Sequence, residues 1–339
     1  MSDFGRPAPI LAPIDVGPVR INEPVMLAPM SGISDLPFRR LVKRQGAGLV
    51  VSEMIASQAL VRNSRKTLRM LQSCAEEFPM AVQLAGCEPA VMAEAARFNA
   101  DRGAAIIDIN MGCPVKKVVR GEAGSALMRD EDLAARIIAA VVAAVELPVT
   151  LKMRLGWDEN SRNAPELARI AEDLGVAMVV VHGRTRQQMF SGRADWPFIA
   201  QVKQAVTIPV IANGDVRSYD DAGEILAQSG ADGLMVGRGC YGKPWLPSHI
   251  GHYLQSGERL APPTLVQQLA ILQEHYEAIL EHYGDAIGVR TARKHIGWYT
   301  KGLPGSAAFR AEVNGRADSA LVRRLIGDFF ARLLDRQAA

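Results

Sequence analysis

An alternation limits how this chain can fold more than any other feature. Short apolar runs bounded by turn signals recur eight times, around Val25 to Ala28, Gly48 to Ser52, Met80 to Leu84, Ala105 to Ile109, Pro148 to Met153, Ala177 to Val181, Ile208 to Ala212 and Gly233 to Val236. They are rich in Val, Ile, Leu and Met without clean polar alternation, the pattern of strands buried on both faces of a parallel sheet. Between most of them lie stretches of helical period: Pro89 to Asp101, Asp130 to Val145, Pro165 to Leu174, Phe198 to Ala205 and Tyr219 to Gln228. Asp130 and Ser218 stand as caps. Eight strands alternating with helices over roughly 230 residues predict an α/β chain of the (β/α)8 TIM barrel class. A doubly wound open sheet is the alternative, but no Gly-x-Gly-x-x-Gly turn follows the first strand to give it a dinucleotide site.

A barrel gathers the carboxyl ends of its strands at one mouth. Here those ends hold Pro29 to Ser31, Glu53, Gln83, Asn110 with Cys113, Lys152 with Arg154, and His182 with Arg184. Asn213 to Asp215 and Gly237 with Arg238 complete the ring, whereas the opposite strand ends are mostly Gly, Ala and Pro. The run Ile106 to Pro114 presents Cys113 on a loop among turn-formers, with a small buried hydrophobe as its alternative reading. Asn213-Gly214-Asp215 and Gly237-Arg238-Gly239 fit the phosphate site that barrels build after strands seven and eight. Arg238 offers a cationic fork, and His182 and Arg184 add donors. One phosphate without a second cradle points towards a mononucleotide such as FMN. Lys152 would stabilise negative charge on the flavin ring; its alternative is an ion pair with Glu53 or Asp108. Gln83 could pair with the ring's polar edge, and Ala28-Pro29-Met30 could let the backbone approach it.

The chain of 339 residues exceeds one barrel by a small domain. Residues 1–20 read as an extended Pro-rich lead-in, 21–254 as the barrel, and Gln255 to Thr264 as a linker. Helical patterns at Leu265 to Tyr283, Ala286 to Thr300, near Ala307 and from Asp318 onward predict an all-α bundle over 262–339. Asp285 to Ala339 carries ten Lys and Arg against five Asp and Glu, in a chain of net charge +3. Trp298 and Tyr299 interleave with that basic set, which suits RNA as well as an ordinary solvated helical face. Cys74, Cys87, Cys113 and Cys240 form no C-x-x-C pair, so no metal site is expected. No apolar run approaches the ~20 residues that span a bilayer. A cytoplasmic, monomeric protein with reduced thiols is the expectation.

Ala28-Pro29-Met30-Ser31-Gly32, Asp108-Ile109-Asn110-Met111-Gly112-Cys113-Pro114, Gly124-Ser125-Ala126-Leu127-Met128, His182-Gly183-Arg184-Thr185-Arg186 and Asn213-Gly214-Asp215 together resemble the bacterial tRNA-dihydrouridine synthases. The His182 to Arg186 run and the Gly239 to Trp245 stretch are most similar to the B subfamily. The resemblance implies an FMN barrel joined to a helical tRNA-binding domain, reducing the C5–C6 double bond of a D-loop uridine with NADPH as electron donor. Ala28, Pro29, Met30, Gln83, Lys152, His182, Asn213, Gly214, Asp215, Gly237 and Arg238 would hold FMN. Cys113 would donate the proton to C5 while hydride reaches C6, and Asn110 and Arg154 would line the uracil pocket. Arg184 joins the expected substrate contacts, with Lys116, Lys117 and Arg120 on a closing loop Val115 to Met128 and Arg293 and Lys294 in the tail. Two other readings remain: a flavin dehydrogenase for a free metabolite such as a dihydropyrimidine, and a non-catalytic RNA-binding protein on a retained barrel.

Overall fold

The computed structural model describes residues 11–58 and 75–338; Cys74 and the first half of the expected lead-in lie outside them. The described part of that lead-in is a hairpin. Strands β1 (Ile14–Val16) and β2 (Val19–Ile21) pair antiparallel, Ile14 opposite Ile21, about a turn in which Gly17 takes φ +57°. Eight parallel strands then close into a barrel: β3 (Val25–Leu27), β4 (Leu49–Val51), β6 (Met80–Ala85), β7 (Ile106–Met111), β8 (Val149–Arg154), β9 (Met178–His182), β10 (Val210–Asn213) and β11 (Gly233–Val236). The short β5 (Ile55–Ala56) pairs with β6 alone, and β4 pairs with both β3 and β6. Every residue of β6, β7 and β8 is buried, which explains why these strands lack polar alternation.

Helices follow most barrel strands: α1 (Leu36–Arg44), α2 (Pro89–Ala100), the one-turn α3 (Lys116–Val119), α4 (Glu131–Val142), α5 (Ala164–Asp173), α6 (Trp196–Ala205), α7 (Tyr219–Ser229) and α8 (Leu246–Ser256). Local chemistry fixes their starts. Asp130 accepts from the Leu133 N–H at 2.9 Å and Ser218 from that of Asp221 at 3.1 Å. Asp195 caps α6 at Phe198 N, 3.1 Å, which moves its start ahead of the expected Phe198 and places Pro197 in the first turn. The segment expected as one loop, Val115 to Met128, holds α3 and a 3-10 turn, Gly124–Arg129.

Inside the barrel, Met26, Val51, Ala81, Ile106, Met178, Val180, Ile211 and Met235 form one apolar cluster with Ile14, Val16 and Ile21 of the hairpin. Burying each aliphatic side chain of this kind contributes about 1.5–3 kcal/mol. Strand register then sets the mouth. Gln83 lies opposite Asp108, Asn110 opposite Lys152, Arg154 opposite His182, and His182 opposite Asn213.

The chain divides into two compact units: the barrel part, to Gly239 with Trp245–Arg259, and a helical part, Cys240–Pro244 with the chain from Leu260. The helical unit contains α9 (Leu265–Tyr283), α10 (Asp285–Tyr299), α11 (Ser306–Asn314) and α12 (Ser319–Ala338). Thr264 and Gln267 form a reciprocal capping box at α9. Phe309 stacks on Phe329 at 4.3 Å, and the Tyr276 hydroxyl donates to the Ser319 carbonyl at 3.1 Å. Tyr241 stacks on Trp298 at 4.0 Å, joining Cys240–Pro244 to α10. No helix among the described residues is long and apolar enough to cross a membrane.

Candidate active site

The loop after β7 is held by a chain of side-chain amides. Asn110 Oδ1 accepts from the N–H groups of Gly112 at 3.2 Å and Cys113 at 2.9 Å. Asn110 Nδ2 donates to Gln83 Oε1 at 2.7 Å, and Gln83 Nε2 donates to Asp108 Oδ2 at 2.7 Å. The Thr150 hydroxyl completes the line by donating to Asp108 Oδ1 at 2.6 Å. Burial raises the Asp108 carboxyl to about 6, against the lowering effect of the Thr150 and Gln83 bonds and of Lys152. The relay therefore runs from β8 through β7 and β6 back to the Cys113 backbone. It fixes how the Asn110 and Gln83 amides stand at the mouth, with one Gln83 N–H and one Oε1 lone pair not used by these bonds. Thr150 was not foreseen from sequence; a lone hydroxyl inside the apolar run Pro148 to Met153 was the available signal, and the register that sets it opposite Asp108 is seen only in the fold.

Cys113 is clasped from the other side. Its carbonyl accepts from Ser125 N at 3.1 Å and Ser125 Oγ at 2.9 Å. Gly124 makes this approach possible: it takes φ +62°, and a Cβ there would stand 2.8 Å from the Cys113 carbonyl oxygen. The Cys113 thiol is half-buried, and burial pushes it above its ordinary value, with Arg154 and Lys152 pulling the other way. It stays protonated at neutral pH.

Lys152 is 9% exposed, and its ammonium donates to Asn213 Oδ1 at 3.1 Å. The ion pair with Glu53 or Asp108 does not form: among the described residues Lys152 bridges neither, and Glu53 accepts from Gly32 N. Burial, then the neighbouring Arg154, lowers Lys152 to about 8. Asn213 is itself anchored by Nδ2 to the Met235 carbonyl at 2.7 Å. Burial keeps His182 neutral, reinforced by Arg154, Lys152, Arg184 and Arg238 around it.

The two interior arginines are braces as well as charges. Arg154 donates from Nε to Gly112 O at 2.7 Å and from Nη1 to Thr185 O at 2.9 Å and Met189 O at 2.8 Å. Its Nη2 has no hydrogen-bond partner among the described residues. Arg184, expected among the substrate contacts, is 1% exposed and holds Ser191 O, Gly192 O and Asp215 Oδ2. Asp215 sits at φ +60° and also accepts from Ala194 N at 2.9 Å and Arg238 Nη2 at 3.2 Å. Burial alone would raise the Asp215 carboxyl, but Arg184, Ala194 and Arg238 hold it below the ordinary range. Arg238 remains half-exposed beside it.

Ala28, Met30 and Gly237 meet at one corner: a Cβ on Gly237 would lie 3.6 Å from Ala28 Cβ and 3.7 Å from Met30 Sδ, and Pro29 is half-buried between Ala28 and Met30. Gly214, at φ +124°, leaves no room for a side chain against Ala194 and His182. The mouth thus joins a buried ammonium, three guanidinium groups and backbone turns of low bulk, with Asp215 already paired and Asp108 engaged by Thr150 and Gln83. That donor set fits an anionic ligand with a phosphate and a ring that gains negative charge, such as FMN. Lys116, Lys117 and Arg120 stand exposed on and just after α3. Arg293 and Lys294 lie on α10 of the helical unit, half-buried, with Arg293 Nη2 on the Arg316 carbonyl at 2.9 Å. No group of three His, Cys, Asp or Glu among the described residues could hold a metal.

A family model described as dihydrouridine synthase matches residues 26–326. A probable tRNA-dihydrouridine synthase of Rickettsia conorii is 57% identical over 323 residues, 95% of this chain and 98% of the relative. A tRNA-dihydrouridine synthase B of Xanthomonas campestris pv. campestris is 51% identical over 321 residues, 95% and 97% of the two chains. Histamine dehydrogenase from Rhizobium sp. 4-9 shares the fold alone, with TM-score 0.56 and 13% identity over 79% of this chain and 51% of its own.

Proposed function

Since the chain belongs to the dihydrouridine synthase family, we propose that it reduces the C5–C6 double bond of a D-loop uridine in tRNA, with FMN as resident cofactor and NADPH as electron donor. The observation that carries this reading is a free thiol, Cys113, held at the edge of a mouth that buries Lys152, Arg154 and Arg184. Ala28, Pro29, Met30, Gly214 and Gly237 let the backbone approach FMN; Asn213, Asp215, Arg238 and His182 shape its phosphate and ring contacts, and Lys152 offsets negative charge on the ring. Gln83, held by Asp108 and Asn110, pairs with the polar edge of the ring through its remaining amide hydrogen. When bound, the flavin supplies two-electron chemistry between a nicotinamide nucleotide and the uracil double bond.

The chain's own residues do the rest. Cys113 gives its thiol proton to C5 of the uracil, and the raised thiol value keeps that proton available. Asn110 fixes the Cys113 loop, and Arg154 Nη2 meets a uracil carbonyl while Nε holds the Gly112 carbonyl. The target base leaves its stack to reach this depth. Lys116, Lys117 and Arg120 meet backbone phosphates of the RNA, and Arg293 and Lys294 in the helical unit add to tRNA affinity. Arg184 serves by holding the Ser191–Gly192 turn and Asp215.

Dihydrouridine measured position by position in tRNA from cells lacking this gene tests the reading. Loss at a defined D-loop position, restored by wild type and not by Cys113→Ala, is the expected result. No loss in the deletion strain, together with wild-type turnover of free uracil or dihydroorotate and none of unmodified tRNA, would favour a metabolite dehydrogenase.

A further inference from the structure

The turn after β9 carries an apolar ring that the barrel's packing does not use. Phe190 is 50% exposed, one of few large apolar side chains so placed. The backbone that presents it is firmly fixed. Arg154 Nη1 holds the Met189 carbonyl at 2.8 Å; Arg184 holds those of Ser191 at 3.0 Å and Gly192 at 2.6 Å. Met189 adopts φ +54°, a conformation costly for a residue with a side chain, and Gly192 takes φ +67°. Two buried guanidinium groups and a strained residue thus keep an aromatic ring in solvent, which its own burial energy opposes.

What surrounds the ring identifies its ligand. The Arg154 and Arg238 guanidinium carbons lie 5.5 Å and 5.2 Å from the ring centroid. Phe190 also lines a cleft of about 740 Å³ whose wall carries Arg193 and Arg217 together with Asp195, Asp215, Asp221 and Glu224, Arg217 standing 3.7 Å from Asp215. Arg193 has no ion-pair or hydrogen-bond partner among the described residues. An exposed π-face with the Arg154 and Arg238 guanidinium groups beside it and the unpaired Arg193 nearby matches a polymer that repeats a base and a phosphate. The cleft offers no glycine-rich helix start of the kind that cradles a dinucleotide.

We propose that Phe190 is a stacking platform for tRNA binding, taking the base next to the target uridine while Arg193 meets the adjoining phosphate. The inference rests on the tRNA reading above and deepens it. Drawing one base out of a folded loop leaves its neighbour without a stacking face, and the Phe190 ring replaces that face. Phe190 touches no reacting atom; it acts on binding.

The test uses the holoenzyme with an unmodified tRNA transcript, varying tRNA and NADPH separately, for wild type and Phe190→Ala, Phe190→Leu and Phe190→Tyr. The KM for tRNA should rise on the order of tenfold in the Ala and Leu variants and stay near wild type in the Tyr variant, with the KM for NADPH unmoved. Leu performing as well as Phe would overturn the proposal, since simple apolar contact would then suffice. So would a KM shift for NADPH in place of tRNA, which would give the cleft to the electron donor, or no shift at all. A wild type that forms no dihydrouridine defeats the tRNA-reductase reading instead. Transcript affinity by fluorescence anisotropy then still decides on Phe190: weakening in Ala and Leu with Tyr retained supports it, and equal affinities overturn it.

Discussion

Lys152 is the residue on which charge and burial conflict most. Its ammonium is carried inside the barrel with one hydrogen-bond partner among the described residues, and burial lowers it from 10.5 to about 8. Below about 8 the folded apoprotein carries a desolvated cation; from there to 10.5 the folded group is neutral while the unfolded group keeps its proton. Stability from this residue therefore rises with pH across that window. Affinity for an anionic ligand moves the other way, because the ammonium is lost as pH passes about 8. Apoprotein titrated with FMN should lose affinity from pH 7 to 9, and Lys152→Met should bind weakly with that pH dependence flattened; fluorescence quenching reads both. An unchanged pH profile in Lys152→Met would place the titrating group elsewhere. The thiol of Cys113 is shifted upward, so the alkaline loss belongs to Lys152.

At the scale of elements, Gly124 shows how a loop can govern Cys113, the proposed proton donor, without containing it. A methyl group there would press on the Cys113 carbonyl, on Cys113 Cβ at 3.1 Å and on Val118 at 2.9 Å, at a φ that disfavours any side chain. Gly124→Ala should cost about 1–3 kcal/mol of stability and lower kcat for tRNA reduction, with FMN content retained; single-turnover rates on flavin-loaded protein check it. A full rate would mean the 3-10 turn Gly124–Arg129 does not hold Cys113 in place. Sequence exposed some of these elements and hid others for physical reasons. Strands buried on both faces produce long apolar runs, so β6 to β8 were legible, as were helices capped by Asp130 and Ser218. The three-residue strands β1 and β2 and the four-residue α3 are shorter than any period they could display. At the site, residue types at strand ends were readable, but partners were not. That Asn110 bonds Gln83, and that Arg184 holds the Ser191–Gly192 turn, depends on register and loop shape, which spacing does not encode.

At the scale of the whole molecule, charge is uneven along the chain. The segment Asp285 to Ala339 holds ten Lys and Arg against five Asp and Glu, leaving the remainder slightly acidic in a chain of +3. Neutralising Arg293 and Lys294 to Gln should weaken tRNA binding most at low salt, reducing the slope of log affinity against log salt by about one to two. Binding measured by anisotropy across a salt series decides it; an unchanged affinity and slope would remove this face of α10 from the RNA contact. Flavin content serves as the control, because the cofactor donors all lie in the other unit.

The hairpin at the start of the described chain has a consequence for traffic through the barrel. With Val16 and Ile21 packed among Met26, Met178, Val180 and Met235, the end of the barrel opposite Lys152 is stoppered by side chains. Among the described residues this leaves the mouth at the strands' carboxyl ends as the doorway. Under the proposed function, a nicotinamide nucleotide and a tRNA bound for the same depth would take turns at it, each departing before the other arrives, and the scaffold would set that order before any chemistry begins.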